Sequence, residues 1–93
     1  MLYMVIEKFK HPDPRLVGER FQTKGRMQPE GLVYHASWLE PSGTRCFQLM
    51  ETADPELFGQ WTSHWDDLME FEIVPVLTSA EFWAQITMAS PSA

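Results

Sequence analysis

Short apolar runs separated by breaker residues define the pattern of the chain. Residues 1–9 are rich in aromatic, β-branched and long apolar side chains and stop at the cluster Lys10-His-Pro-Asp-Pro14, which predicts a first strand. Two further strand-like runs, residues 32–40 and 45–51, flank the segment Pro41-Ser-Gly-Thr44. Because proline favours the start of a turn and glycine accepts a positive φ, this segment predicts a hairpin.

A first helix is predicted from about Pro14 to Lys24. Asp13 before Pro14 is a helix-start signal, because an Asp side chain accepts amide protons of the first turn, whereas proline has no amide there to leave unpaired. Gly25 stands where a left-handed C-terminal cap is expected. The apolar stripe of this helix is thin and consists mainly of Leu16, Val17 and Phe21.

A second helix begins at the same kind of signal, Asp54-Pro55, and has the clearest helical period in the chain. Its apolar stripe must face the sheet if the indole rings are to leave water. A histidine lies on the stripe, so we expect it to meet apolar neighbours in a cleft between this helix and the sheet. The stripe consists of Leu57, Trp61, His64, Trp65 and Leu68.

A last strand over residues 70–77 leads into Thr78-Ser-Ala-Glu81, whose spacing permits a capping box that opens a short C-terminal helix. The element order is therefore β-α-β-β-α-β followed by a terminal helix. This order predicts an α+β, ferredoxin-like fold, in which a four-stranded antiparallel sheet carries both long helices on one face. On this interpretation residues 1–87 form a single domain and residues 88–93 form a frayed tail.

The first and last strands are apolar on both faces, apart from Glu72. A sheet with one wet face should alternate apolar with polar residues, and Leu2-Tyr-Met-Val-Ile6 does not. Since the helices cover only one face, we expect the sheet of a second chain to cover the other, in a twofold homodimer. Pro75 cannot donate a ladder hydrogen bond, which favours an edge position or a bulge.

Four stretches carry a resemblance that extends over roughly residues 1–86. They read Pro29-Glu-Gly-Leu-Val-Tyr-His-Ala-Ser-Trp38, Arg45-Cys-Phe-Gln-Leu-Met50, Trp65-Asp-Asp-Leu68 and Phe71-Glu-Ile-Val-Pro-Val-Leu-Thr-Ser79. They resemble a bacterial family known as domain of unknown function 3303, which is similar in architecture to the dimeric α+β barrel superfamily. The resemblance implies a ferredoxin-like protomer and a dimer. That superfamily includes cofactor-independent monooxygenases of aromatic polyketides, haem-degrading enzymes, lactone isomerases and proteins without established activity, so the resemblance implies no particular catalytic residue.

Composition narrows the classes of function. A length of 93 residues with 44% hydrophobic residues indicates one globular domain. The formal net charge of −6 repels a phosphate backbone, so we expect no nucleic-acid partner. No apolar run approaches the ~20 residues that cross a bilayer, and the N-terminal stretch lacks the marks of a signal peptide, so we expect a soluble, cytoplasmic protein. Cys46 is the single cysteine, which excludes an internal disulfide.

His64 and His35 are the candidate catalytic residues. An imidazole among indoles, as expected for His64, can act as a proton shuttle; the alternative is a boundary histidine bonded to backbone or water. Strict alternation places His35 on one strand face with Ser37 and Leu39, and Tyr34 on the other. If its face lines a cavity, His35 can bind or deprotonate a ligand; the alternative is a cross-strand hydrogen bond inside the barrel.

Glu7 and Glu72 are carboxylates at the ends of apolar strands. Burial beside a cavity would suit either to general acid catalysis, and exposure to solvent at a strand end is the alternative. Cys46 is expected to be a small core residue rather than a nucleophile. The chain has no local metal-ligand spacing and no glycine-rich phosphate loop, so we expect neither a metal nor a cofactor.

Two functions remain open at this point. The first is a noncatalytic small-molecule-binding or accessory module, in which aromatic side chains line a pocket for a small hydrophobic or aromatic ligand instead of serving only as core. The second is a cofactor-independent enzyme, of monooxygenase or isomerase type, acting on a small hydrophobic or aromatic substrate. The candidate ligand-binding residues are Trp61, Trp65, His64 and Tyr34.

Overall fold

The computed structural model describes residues 1–89 of the chain. These residues form strands and helices in the predicted order. The predicted tail starts at Met88; the last helix reaches Ala89, and residues 90–93 lie outside the described residues. The elements are β1 (Leu2–Phe9), α1 (Arg15–Lys24), β2 (Val33–Leu39), β3 (Arg45–Glu51), α2 (Leu57–Thr62), β4 (Met69–Val76) and α3 (Ser79–Ala89).

The four strands form one antiparallel sheet in the order β2-β3-β1-β4. Consecutive strands β1 and β2 are thus separated by β3, and β4 returns to the free side of β1. The predicted α+β, ferredoxin-like fold is confirmed. Pro75 pairs with Tyr3 on the edge strand β4, where a missing N–H is tolerated.

Three of the predicted turn and cap signals form the hydrogen bonds or the backbone angle expected of them. The amide of Arg15 donates to Oδ1 of Asp13 at 3.0 Å, so Asp13 caps the first turn of α1. Gly43 has a φ of +73° in the β2–β3 hairpin, a conformation that favours glycine. Thr78 and Glu81 exchange reciprocal hydrogen bonds of 3.1 Å, which is the predicted capping box at the start of α3.

The core lies between α2 and one face of the sheet. Phe58 of α2 meets Tyr3 edge-on, with 5.0 Å between ring centroids, and Trp61 meets Phe71 at 5.6 Å. Burying side chains of this size contributes on the order of 2 kcal/mol each. The fully enclosed apolar residues of this core are Val5, Leu32, Met50, Phe58, Trp61, Trp65 and Met69.

α2 ends at Thr62, well before the end of the predicted helical period at Leu68. Beyond it the backbone forms tight i to i+3 turns, in which the amide of His64 bonds to the carbonyl of Trp61 at 3.1 Å. Such turns rotate each residue further than an α-helix does, and Trp65 and Leu68 still pack on the core while His64 does not. Trp61 and Trp65 are buried, whereas His64 is exposed. The prediction that His64 faces the sheet among apolar neighbours is wrong.

A β-bulge at His35 changes which residues of β2 share a face. The pairing with β3 passes from Tyr34 directly to Ala36, so His35 is the extra residue. Beyond the bulge the alternation is shifted by one residue, so Ser37 lies on the same face as Tyr34. The hydroxyls of these two residues lie 2.8 Å apart. The predicted grouping of His35 with Ser37 and Leu39 is therefore wrong.

The sheet face opposite α1 and α2, here called the open face, is covered by neither of these helices, and its apolar side chains are half-buried. Trp38 at one side of it is 55% exposed. Lys8 and Arg45 border one depression of this face together with Glu70 and Glu72, so its rim carries both signs of charge. By register and alternation, its apolar residues are Leu2, Met4, Ile6, Phe47, Leu49, Val74 and Val76.

α3 follows the edge strand β4 and has an exposed aromatic pair. The rings of Phe82 and Trp83 pack edge-on at 5.3 Å between centroids, and both side chains are exposed. Within residues 1–89, no helix combines the length and apolar character that crossing a membrane requires.

Candidate functional site

A cavity of about 320 Å³ lies between α1 and the helix-covered face of the sheet. α1 forms one wall, and strands β1, β2 and β3 form the other. Most of the lining is apolar, and a small group of polar side chains comes from the sheet and from the loop after α1. The apolar side chains include Phe9, Val17, Phe21 and Leu39.

Three side chains that line the cavity, Glu7, Gln48 and Arg26, are joined by hydrogen bonds and are here called the polar row. Gln48 donates from Nε2 to Oε2 of Glu7 at 2.7 Å and accepts at Oε1 from Nη1 of Arg26 at 3.2 Å. Glu7 and Gln48 are only 3% and 5% exposed. Among the side chains that the structure describes, no buried nitrogen or oxygen lacks a partner. A buried row satisfied in this way is held in one arrangement.

Burial controls the ionisation of the two titratable groups on the sheet side of the cavity. Burial raises the pKa of Glu7 above its ordinary value of 4.5, although the hydrogen bond from Gln48 and the charge of Arg26 oppose the shift. Cys46 lies directly opposite Glu7 on the neighbouring strand. Burial, together with the charge of Glu7, raises the pKa of the Cys46 thiol to about 12. The thiol is thus protonated at neutral pH and unsuited to nucleophilic attack.

Two indoles hold Arg26 beside the cavity. Nε1 of Trp61 and Nε1 of Trp65 donate to the backbone carbonyl of Arg26 at 2.9 and 3.0 Å. The guanidinium lies 3.7 Å from the ring centroid of Tyr34 and 5.1 Å from that of Phe21. Cations are attracted to aromatic faces at such distances. Trp61, Trp65 and Tyr34 therefore act on the cavity by positioning Arg26, and their own side chains do not line it.

α1 covers the cavity without burying any of its own residues. Arg20 attaches it to the turn after α2, because its guanidinium bonds to both carboxylate oxygens of Asp67 at 2.7 and 2.8 Å and to the carbonyl of His64 at 2.9 Å. Gly18 lines the cavity, and a Cβ added there meets no atom within 4 Å. A helix held by so few contacts opens at low cost, which suits the cover of a binding site.

The two candidate histidines lie away from this cavity. His64 is exposed in the turn after α2, and its backbone carbonyl accepts the hydrogen bond from Arg20. Nε2 of His35 lies 2.8 Å from Oε1 of Glu51 in a cross-strand contact on the open face, where both residues border a separate hollow of about 390 Å³. Neither histidine belongs to the polar row, and neither lines the cavity.

Sequence reasoning does not single out Arg26 or Gln48. The available signal was the alternation in β3, where Gln48 lies between Cys46 and Met50 on a face that is otherwise apolar. Glu7 is buried on the corresponding face of β1, whereas Glu72 is exposed, so the two carboxylates have different surroundings.

The fold and the cavity define a ferredoxin-like α+β protein with a buried polar row between a helix and its sheet. In the part of the chain that the structure describes, no group of three or more His, Cys, Asp or Glu side chains could hold a metal ion. The chain belongs to the family described as domain of unknown function (DUF3303), whose model matches residues 1–89. No curated protein and no solved structure matches it. The resemblance to domain of unknown function 3303 is therefore confirmed.

Proposed function

We propose that this protein is a small-molecule-binding module whose ligand occupies the cavity under α1. The observation that carries the proposal is the polar row at a mostly apolar cavity. Small-molecule sites have this composition, with a few placed polar groups that orient the ligand and volumes of about 300–1,000 Å³. The cavity of about 320 Å³ lies at the lower end of that range and suits a compact ligand.

A thermal-shift screen of aromatic and lipid-like compounds tests this function, because a ligand that binds only the folded state raises the melting temperature. Gly18→Leu narrows the cavity and should abolish the shifts. Gly59→Leu is the matched control, since Gly59 is also helical with open space around it but does not line the cavity. His64→Ala should retain every shift. The proposal fails if no compound stabilises the wild type or if Gly18→Leu responds like the wild type.

A second candidate function is a cofactor-independent enzyme acting on a small hydrophobic or aromatic substrate. Glu7 favours it, because burial raises the pKa of this carboxyl beside the cavity, and a carboxyl of raised pKa is suited to general acid–base catalysis. Glu7→Gln keeps the shape and hydrogen bonding of the side chain but removes the exchangeable acid. Mass spectrometry of compounds from the screen, incubated with either protein, tests for turnover. Conversion by the wild type that Glu7→Gln abolishes supports the enzyme; no conversion by either leaves the binding module.

We also propose that the protein works as a homodimer in which two open faces pack together. The support is a large apolar surface with exposed Trp38, which is typical of an interface. A second copy is the occupant that fits, because a rim carrying Lys8 and Arg45 beside Glu70 and Glu72 is complementary to itself across a twofold axis. Each protomer then keeps its own cavity on the helix-covered side of the sheet.

A further inference from the structure

We propose that the ligand of this cavity is a small carboxylate, an apolar ring or chain carrying a single negative charge, whose carboxylate lies beside Gln48 and contacts both Arg26 and Glu7. This inference rests on the proposed binding function and adds the chemical class of the ligand. It is carried by the surroundings of Arg26, by the charges that face the cavity and by the apolar remainder of the lining.

Arg26 differs from the other arginines of the chain. Arg15, Arg20 and Arg45 each form an ion pair with a carboxylate. Arg26 is half-buried and forms no ion pair with any carboxylate that the structure describes. Among the described residues, its guanidinium donates one hydrogen bond to a side chain, from Nη1 to Oε1 of Gln48 at 3.2 Å. A guanidinium has several N–H donors in a planar fork that matches a carboxylate, so this one has donors to offer a ligand.

Glu7 does not supply the missing carboxylate. The side chain of Gln48 stands between them, donating to Glu7 and accepting from Arg26. Burial favours the neutral form of Glu7, and the neighbouring Cys46 thiol is neutral as well. The other lining residues are uncharged, so Arg26 is the cation of this cavity and Glu7, whose charged form burial disfavours, is its acid.

A bound carboxylate satisfies both ends of this arrangement. It balances the charge of Arg26 with a charge-assisted hydrogen bond, and Glu7, in the protonated form that burial favours, can donate a second hydrogen bond to the same group. The rest of the molecule then lies against Phe9, Val17 and Phe21, which is why an apolar body is required. A carboxylate without such a body would gain little from leaving water.

Carboxylates and their matching amides, titrated into the wild-type protein, test whether the ligand must carry a negative charge. We would titrate benzoate, 2-naphthoate and octanoate, and the corresponding primary amides, by calorimetry at pH 6. The expected result is tighter binding of the best carboxylate than of its amide, on the order of tenfold. Equal or tighter binding of the amides overturns this inference and leaves the proposed function intact. If no acid or amide binds and the wider screen is also silent, both fail.

Variants then locate the contact. Arg26→Gln should reduce carboxylate affinity to that of the amide, and Arg26→Lys should retain part of the preference because it keeps the charge without the planar fork. Arg15→Gln is the matched control, since it also removes one arginine charge, at a residue that pairs with Asp13 and does not line the cavity. Glu7→Gln should still bind the carboxylate, because its amide can donate. An unchanged preference in Arg26→Gln, or an equal loss in Arg15→Gln, contradicts the assignment.

Discussion

Gln48 donates a hydrogen bond of 2.7 Å to Glu7 across the centre of the sheet, from β3 to β1. The bond satisfies the carboxyl but does not neutralise it, and the nearest cation, Arg26, is reached only through the other end of the same amide. Glu7 is only 3% exposed. Ionising it therefore places a charge where water barely reaches, which costs free energy. This relationship makes Glu7 the group most sensitive to pH in the candidate site.

The first prediction concerns stability against pH. Because the folded pKa of Glu7 is raised above 4.5, its contribution to stability is complete below pH 4.5 and is lost as pH rises through the folded value. Glu7→Gln has no such loss. We expect the melting temperature of the wild type to fall relative to that of Glu7→Gln between pH 4.5 and 8. If the melting temperatures of the two proteins changed by the same amount across this pH range, the raised pKa of Glu7 would be contradicted.

The second prediction concerns the single cysteine. With a pKa of about 12, on the order of one Cys46 thiol in ten thousand is ionised at pH 8 in the folded state. Ellman's reagent should react with the native protein far more slowly than with the protein in denaturing urea, where one thiol per chain is expected. Prompt reaction of the native protein at pH 8 would contradict the raised pKa of the Cys46 thiol.

The order of strands and helices was predictable because its signals are local. The alternation of apolar runs, the capping residue Asp13, the turn glycine Gly43 and the capping box from Thr78 to Glu81 each act over a few residues. Local chemistry of that kind is the same in the sequence and in the folded chain.

The site was not predictable in the same way, because its members come from separate segments. Glu7 and Gln48 meet only through strand pairing. Arg26 joins them from the loop after α1, which the indoles of Trp61 and Trp65 hold in place. Two local irregularities also carry no sequence signal: the bulge at His35 and the end of α2 before His64. The bulge separates Ser37 and Leu39 from the face of His35, and the end of α2 leaves His64 exposed, so periodicity alone misplaced these residues.

The third prediction concerns the attachment of α1. Since α1 buries none of its residues, the paired bonds of Arg20 to Asp67 should govern how often the helix lifts from the cavity. Arg20→Gln and Asp67→Asn should each raise hydrogen exchange of the α1 amides severalfold, and the double variant no further. Arg15→Gln is the control, because Arg15 pairs only with nearby Asp13.

The same pair gives a pH dependence of opposite sign to that of Glu7. The hydrogen bonds from Arg20 hold the pKa of Asp67 below its ordinary 3.8, so the attachment is complete above pH 3.8 and is lost as pH falls through the folded value. Protection of the α1 amides, taken relative to their intrinsic exchange rates at each pH, should therefore fall in acid in the wild type but not in Asp67→Asn. Equal acid sensitivity of the two proteins would contradict the attachment.

The last prediction concerns assembly. Leu49 lies on the open face with β1 and β2 on either side, so Leu49→Glu should place like charges against each other when two faces meet. Light scattering after size exclusion at micromolar concentration should give about twice the chain mass of 10.8 kDa for the wild type and the chain mass for Leu49→Glu. Leu16→Glu, on the exposed side of α1, adds the same charge and should remain dimeric. A wild type of 10.8 kDa with a folded circular-dichroism spectrum would contradict the dimer, because the apolar open face would then be stable in water without a second copy.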